Sequence, residues 1–85
     1  MYTVYDQVAG IYQQPFYMQN DAVAIRLIRN CVNNPEHNYS LNPEDYTLYR
    51  AGTFDDETGK FTQETEKLAN CMSLVHKTQL EAVNS

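Results

Sequence analysis

DYTLYRAGTFDDETGKF, Asp45 to Phe61, is the stretch whose reading decides the fold. Its first half alternates: Tyr46, Leu48 and Arg50 fall on one side, and Thr47, Tyr49, Ala51 and Thr53 on the other. That period of two, carried by aromatic and β-branched residues, predicts a strand. The DDETGK segment, ending in Gly59 before Phe61, has the length and chemistry of a turn that closes a hairpin through a bulge or a longer loop.

Working outward toward the amino terminus, PEHNYSLNPE at Pro35–Glu44 holds two prolines and no periodicity, which predicts a loop with Leu41 or Tyr39 pinned to the core. Before it, Asn20 or Asp21 offers an N-cap to AVAIRLIRNCV, where Ala24, Ile25, Ile28, Cys31 and Val32 recur at intervals of three and four. This predicts an amphipathic helix, its acidic start matching the positive end of the helix dipole and Asn33-Asn34-Pro35 supplying the stop. Further back, Tyr2 to Met18 reads as two aromatic and β-branched runs separated by a segment with Asp6 and Gly10, a second hairpin. Pro15 cannot donate to a ladder, so the second run belongs on an edge or carries a bulge. Toward the carboxyl end the pattern is divided: Leu68, Cys71, Met72 and Val75 match a helical stripe, while CMSLV at Cys71–Val75 can equally form a short strand.

These elements imply an α+β fold, a small antiparallel sheet of hairpins, four or five strands, packed against one amphipathic helix. Residues 1–85 make a single domain, with a core over about 2–75 and a flexible tail at 76–85. A chain this short buries only roughly 60–65% of its unfolded surface, and one helix covers one face of a sheet, so a homo-oligomer is expected to cover the rest. Cys31 and Cys71 sit in apolar surroundings without a second Cys or His at ligand spacing and read as small buried hydrophobes. No charged-then-apolar leader and no apolar run of about 18 residues is present, so neither a secretory signal nor a membrane association is predicted, and a reducing cytoplasm is expected.

The chemistry for catalysis is sparse. His37 lies in the Asn- and Glu-rich loop and His76 near the tail, and neither has a nucleophile or a second ligand at useful spacing. Asp55-Asp56-Glu57 lacks the further ligands and the Gly offset of a calcium loop and reads as an acidic turn. No Gly-rich phosphate loop or zinc spacing occurs, so the expectation is a non-enzymatic protein without metal or cofactor.

Eleven acids against six bases give a net charge of −5, which disfavours a generic basic nucleic-acid coat. Within that balance, Arg26 and Arg29 stand about one helical turn apart, with Arg50, Tyr46 and Tyr49 on a neighbouring strand. Arginines for phosphates and aromatic faces for bases are the means by which single-stranded DNA is held, so these five residues are the candidate nucleic-acid contacts. The wider set of tyrosines, Tyr2, Tyr5, Tyr12 and Tyr17 among them, can stack bases where it faces outward. On chemistry alone, filling a core or a subunit interface is the preferred use of such rings. The arginines have a second use as well, pairing with Asp21, Asp45 or the acidic turn.

Four blocks in order, TVYD, QQPFYMQNDAVAIR, VNNPEHN and NPEDYTLYRAGTFDDETGKF, make residues 2–61 similar to the small nonstructural protein of gokushoviruses, members of the Microviridae. The most specific parts are Ala24-Ile25-Arg26, Asn33-Asn34-Pro35 and the run from Pro43 to Asp56. The family pattern usually has an apolar residue, often Leu, before the glycine matching Gly52, whereas this chain has Ala51 preceded by Arg50. The resemblance implies a phage-encoded accessory protein of genome replication or packaging, with single-stranded DNA as its ligand and the host bacterial cytoplasm, not the mature virion, as its place. It brings no catalytic residues. The alternative, favoured by the negative charge, is an adaptor that engages phage or host replication proteins without touching DNA.

Overall fold

The computed structural model describes residues 1–76. Tyr2–Asp6 forms β1, Ile11–Tyr12 a short β2, Asp21–Val32 the helix α1, Asn38–Leu41 a single helical turn α2, Tyr46–Phe54 β3 and Phe61–Asn70 β4. Short 3₁₀ turns at Pro43–Asp45 and Cys71–Leu74 lead into β3 and out of β4. All strand pairs are antiparallel and the sheet order is β2-β1-β3-β4, with α1 against one face. The α+β architecture read from the sequence is the one observed.

Both predicted hairpins form. Asp6 closes the first by accepting from the amides of Val8 and Ala9 at 3.0 and 3.1 Å, and Gly10 takes a positive φ of 72° to complete the turn. The returning run is an interrupted edge. Gln13 N–H donates to the Val4 carbonyl, Gln14-Pro15 breaks the ladder, and Phe16 resumes it in a bridge to Tyr2. The second hairpin pairs Phe54 with Phe61 at its distal end and Thr47 with Asn70 at its proximal end. Its register shifts twice, between Leu48 and Tyr49 and between Arg50 and Gly52.

The helix starts where a cap is available: Asn20 is extended and its side chain accepts from Val23 N–H at 2.9 Å. At its other end, Asn33 Nδ2 donates to the carbonyls of Arg29 and Leu74, and Asn33 Oδ1 accepts from His76 N–H at 2.8 Å. One amide thus ties the helix terminus to the segment after β4. Asn70 does similar work at the base of the sheet, donating to Tyr46 O and Thr47 Oγ1 while capping the 3₁₀ turn at Met72 N–H.

Two local expectations are corrected. The stretch at 35–44 is not irregular throughout, because His37 Nδ1 accepts from Tyr39 N–H at 3.1 Å and initiates α2. Tyr39, not Leu41, packs on the core; Leu41 is 69% exposed. Residues 71–74 are neither the helix nor the strand considered for them but a 3₁₀ turn that buries Cys71 and Leu74. The expected flexible tail lies, from residue 77 onward, outside the described residues.

The core is the layer between α1 and one face of β1 and β3. Tyr2, Val4 and Leu48 from the strands meet Ala24, Ile28 and Val32 from the helix, with Cys71 and Leu74 closing the proximal end. Val4 and Leu48 are register partners at the centre, and Leu48 is fully buried. The core ends at a polar seal. Arg50 Nε donates to Asp21 Oδ1 at 3.1 Å, its Nη2 pairs with Asp21 Oδ2, and its Nη1 donates to Glu66 Oε2 at 2.6 Å. Tyr2 O–H adds a donor to Asp21 at 2.8 Å. The Arg50 guanidinium, then the Tyr2 hydroxyl, holds the Asp21 carboxyl below its ordinary pKa of 3.8.

Leu48→Ala should cost about 2–5 kcal/mol in denaturant unfolding, because the cavity opens where helix and both central strands meet. The seal gives a pH signature. Since folding lowers the Asp21 pKa, its contribution is present above the unfolded value of 3.8 and is lost as pH falls through the lower folded value. Asp21→Asn should therefore lower stability near neutral pH and flatten the acid limb of the stability–pH curve. An unchanged acid limb would assign the acid sensitivity to other carboxylates.

Candidate nucleic-acid interface

Alternation along the strands sends opposite side chains to opposite surfaces. With Tyr2, Val4, Tyr46, Leu48 and Arg50 turned to the helix, Thr3, Tyr5, Thr47 and Tyr49 face away from it. No element covers that second face among the described residues. Tyr12 of β2 pairs with Tyr5 of β1, and Lys67 of β4 pairs with Tyr49 of β3, so each of the four strands sends one side chain into a single band across the open face.

The three rings touch. Tyr5 and Tyr12 centroids are 4.7 Å apart at 55°, and Tyr49 stands edge-on to Tyr12 at 5.6 Å and to Tyr5 at 6.5 Å. These separations and tilts suit aromatic quadrupoles and stiffen the band. Tyr12 is 52% exposed, and Tyr5 and Tyr49 are partly so. Lys67 is exposed at the β4 end of the band, where its ammonium can reach a phosphate while bases lie on the rings.

The five residues singled out in the sequence are distributed over three surfaces. Arg26 and Arg29 are exposed on the outer side of α1, across the core from the open face. Arg50 lies on the helix-covered face, held by Asp21 and Glu66, which raise its pKa above the usual arginine value. Tyr46 shares that face and packs against Tyr39, with ring centroids 4.6 Å apart at a tilt of 41°. Only Tyr49 joins the band. Tyr5 and Tyr12 belonged to the wider tyrosine set, whereas Lys67 was missed; the signal for it was its register opposite Tyr49, which is fixed by a bulge that the sequence does not mark.

Other chemistry is muted. Burial pushes the Cys71 thiol up to about 12 and raises Cys31 as well, so both are protonated, weakly reactive thiols. Burial likewise pushes the Tyr39 phenol up to about 12. Among the described residues, no three His, Cys, Asp or Glu side chains group to hold a metal ion, and no helix is long and apolar enough to cross a membrane.

Comparison with curated proteins and with solved structures gave no match. A family model described as Phage ORF5 protein matches residues 1–74, which takes in every element of the fold. The chain therefore belongs to the Phage ORF5 protein family.

Proposed function

We propose that this phage protein is a non-enzymatic accessory of single-stranded DNA replication or packaging in a gokushovirus-type microvirus, and that it holds single-stranded DNA against the open face of its sheet. The observation that carries the reading is the band of Tyr12, Tyr5 and Tyr49 with Lys67 at its end. Aromatic faces accept any base, so such a band reads strand state and not sequence. A four-stranded sheet that offers aromatics from its uncovered face is also a recurrent platform for single-stranded nucleic acid.

The charge pattern defines the kind of binding. With Lys67 as the cation in the band, few counterions are released on binding, and each phosphate contact on a single strand contributes a log–log salt slope of only about −0.7. Stacking supplies most of the affinity in this reading, in contrast to a basic coat protein. Arg26 and Arg29 lie too far around the domain to serve the same strand segment as the tyrosines.

A second reading has its own support. The net charge of −5 and the exposed acidic turn at Asp55–Glu57 suit an adaptor that engages a replication initiator or a host replication factor without DNA. The two readings separate in one titration. A fluorescent oligothymidylate should bind with weak salt dependence, and Tyr12→Ala with Tyr49→Ala should reduce affinity roughly tenfold or more, as loss of base stacking does. Arg26→Ala with Arg29→Ala should leave that affinity within a few-fold. Absence of binding at low salt by the folded wild-type protein excludes the DNA reading and leaves the adaptor.

A further inference from the structure

The β3–β4 hairpin runs past the amino-terminal end of α1, and the molecule is correspondingly elongated, 53 × 25 × 20 Å. On the helix side of this arm, Phe54 and Phe61 are register partners left 46% and 47% exposed, and Tyr17 beside them is 56% exposed. Phe61 lies across Gly52, where an added Cβ would come within 2.5 Å of the ring, so the arm is shaped to keep its aromatics on this side. Between the arm and the helix start is a groove of about 550 Å³ lined by Tyr17, Asn20, Ala22, Arg50, Thr53 and Phe54. An apolar hollow of about 510 Å³ adjoins it, touching Tyr17, Phe54 and Asp56.

The groove continues onto the helix. Ala22, Arg26 and Arg29 are spaced i, i+4 and i+7 and form one stripe leading up α1 from the groove wall. Both arginines are exposed, and neither joins an ion pair among the described residues. The arm ends in Asp55, Asp56 and Glu57, which also make no ion pair among the described residues. One surface therefore carries an apolar patch flanked on one side by acids and on the other by bases. Asp56 lies in the turn two residues beyond Phe54 and borders the same hollow, while Arg26 and Arg29 lie roughly 6 and 10 Å from Ala22 at helical spacing. A surface with opposite signs on opposite sides of one apolar centre is complementary to itself under twofold rotation.

We infer that two copies of the chain dock through this face. Phe54 and Tyr17 of each copy fill the groove beside the other copy's Ala22, and the acidic arm tip of each lies along the Ala22–Arg26–Arg29 stripe of the other. The contact leaves the tyrosine bands of both copies on outward surfaces, and it stands independently of the DNA reading. Its apolar area is small, so the dimer belongs to the weak class of interfaces and forms at high protein concentration.

Sedimentation velocity over a concentration series tests it. The wild-type chain should show a concentration-dependent dimer that weakens as salt shortens the Debye length from about 14 Å to about 4 Å, and Phe54→Ser should be monomeric with an unchanged circular dichroism spectrum. Arg26→Glu with Arg29→Glu should be monomeric alone, as should Asp56→Arg with Glu57→Arg, which spares the turn-capping Asp55. Mixed one to one, the two charge-reversed chains should recover a dimer, since both tip-to-helix contacts are then restored. A monomeric wild-type chain at every concentration overturns the proposal, as does a dimer indifferent to Phe54→Ser or a mixture that stays monomeric.

Discussion

The structure depends on a mismatch of lengths. A helix of twelve residues is about 18 Å long at 1.5 Å per residue. Strands of nine and ten residues reach roughly 30 Å. One helix therefore covers β1 and only the proximal half of the β3–β4 hairpin, and there the buried residues gather: Val4 and Leu48 beneath Ala24, Ile28 and Val32. Where the helix begins, the apolar layer has to end against water. Arg50, Asp21, Tyr2 and Glu66 form that border, with Arg50 making charge-assisted bonds to two carboxylates, and among the described residues no buried side-chain nitrogen or oxygen lacks a partner. Beyond it the hairpin continues without cover, and its aromatics remain half exposed.

The same shortage of material explains the second face. With no other layer among the described residues, the outward residues of β1, β2 and β3 other than the buried Thr3 stay at least partly exposed, and three of them are tyrosines in mutual contact. Tyrosine suits that place because its ring gives a broad apolar surface while its hydroxyl stays in water. What the fold leaves uncovered, one band across the sheet and one patch on the arm, is where binding is to be sought.

Much of this architecture was legible in the sequence because the signals were local. The alternation of Tyr46 to Thr53, the Asn20 cap, the spacing of Ala24, Ile28 and Val32 and the glycine turns each act within a few residues. The helical turn at Asn38 was hidden because it is started by a His37 side chain rather than by apolar periodicity. The fate of Cys71–Leu74 was undecidable locally, since Asn33 from the far end of α1 and Asn70 at the end of β4 fix that turn from both sides. The candidate site suffered most from this. Strand parity separates Tyr49 from Tyr46 and Arg50, and it is visible in the sequence. Which face the helix takes, and hence which tyrosines stay exposed, depends on long-range pairing. The bulge that aligns Lys67 with Tyr49 is likewise a property of the assembled sheet.

The proposed binding of DNA by an acidic chain meets an electrostatic objection, and the placement of most of the acids answers it. Asp55, Asp56 and Glu57 are at the arm tip, six or more residues along β3 from Tyr49, which at strand spacing is roughly 20 Å. The Debye length at physiological ionic strength is about 8 Å, so charge at that separation is largely screened from the tyrosine band. Of the nearer acids, Glu66 pairs with Arg50 on the opposite face and Asp6 accepts from the amides of the first turn, while Glu64, three residues from Lys67 on β4, makes no ion pair among the described residues. Net charge is thus a poor guide to this surface. The local field at the band is set by Lys67 and a few nearby carboxylates, and the proposed stacking of bases on the rings is a contact interaction that depends little on net charge.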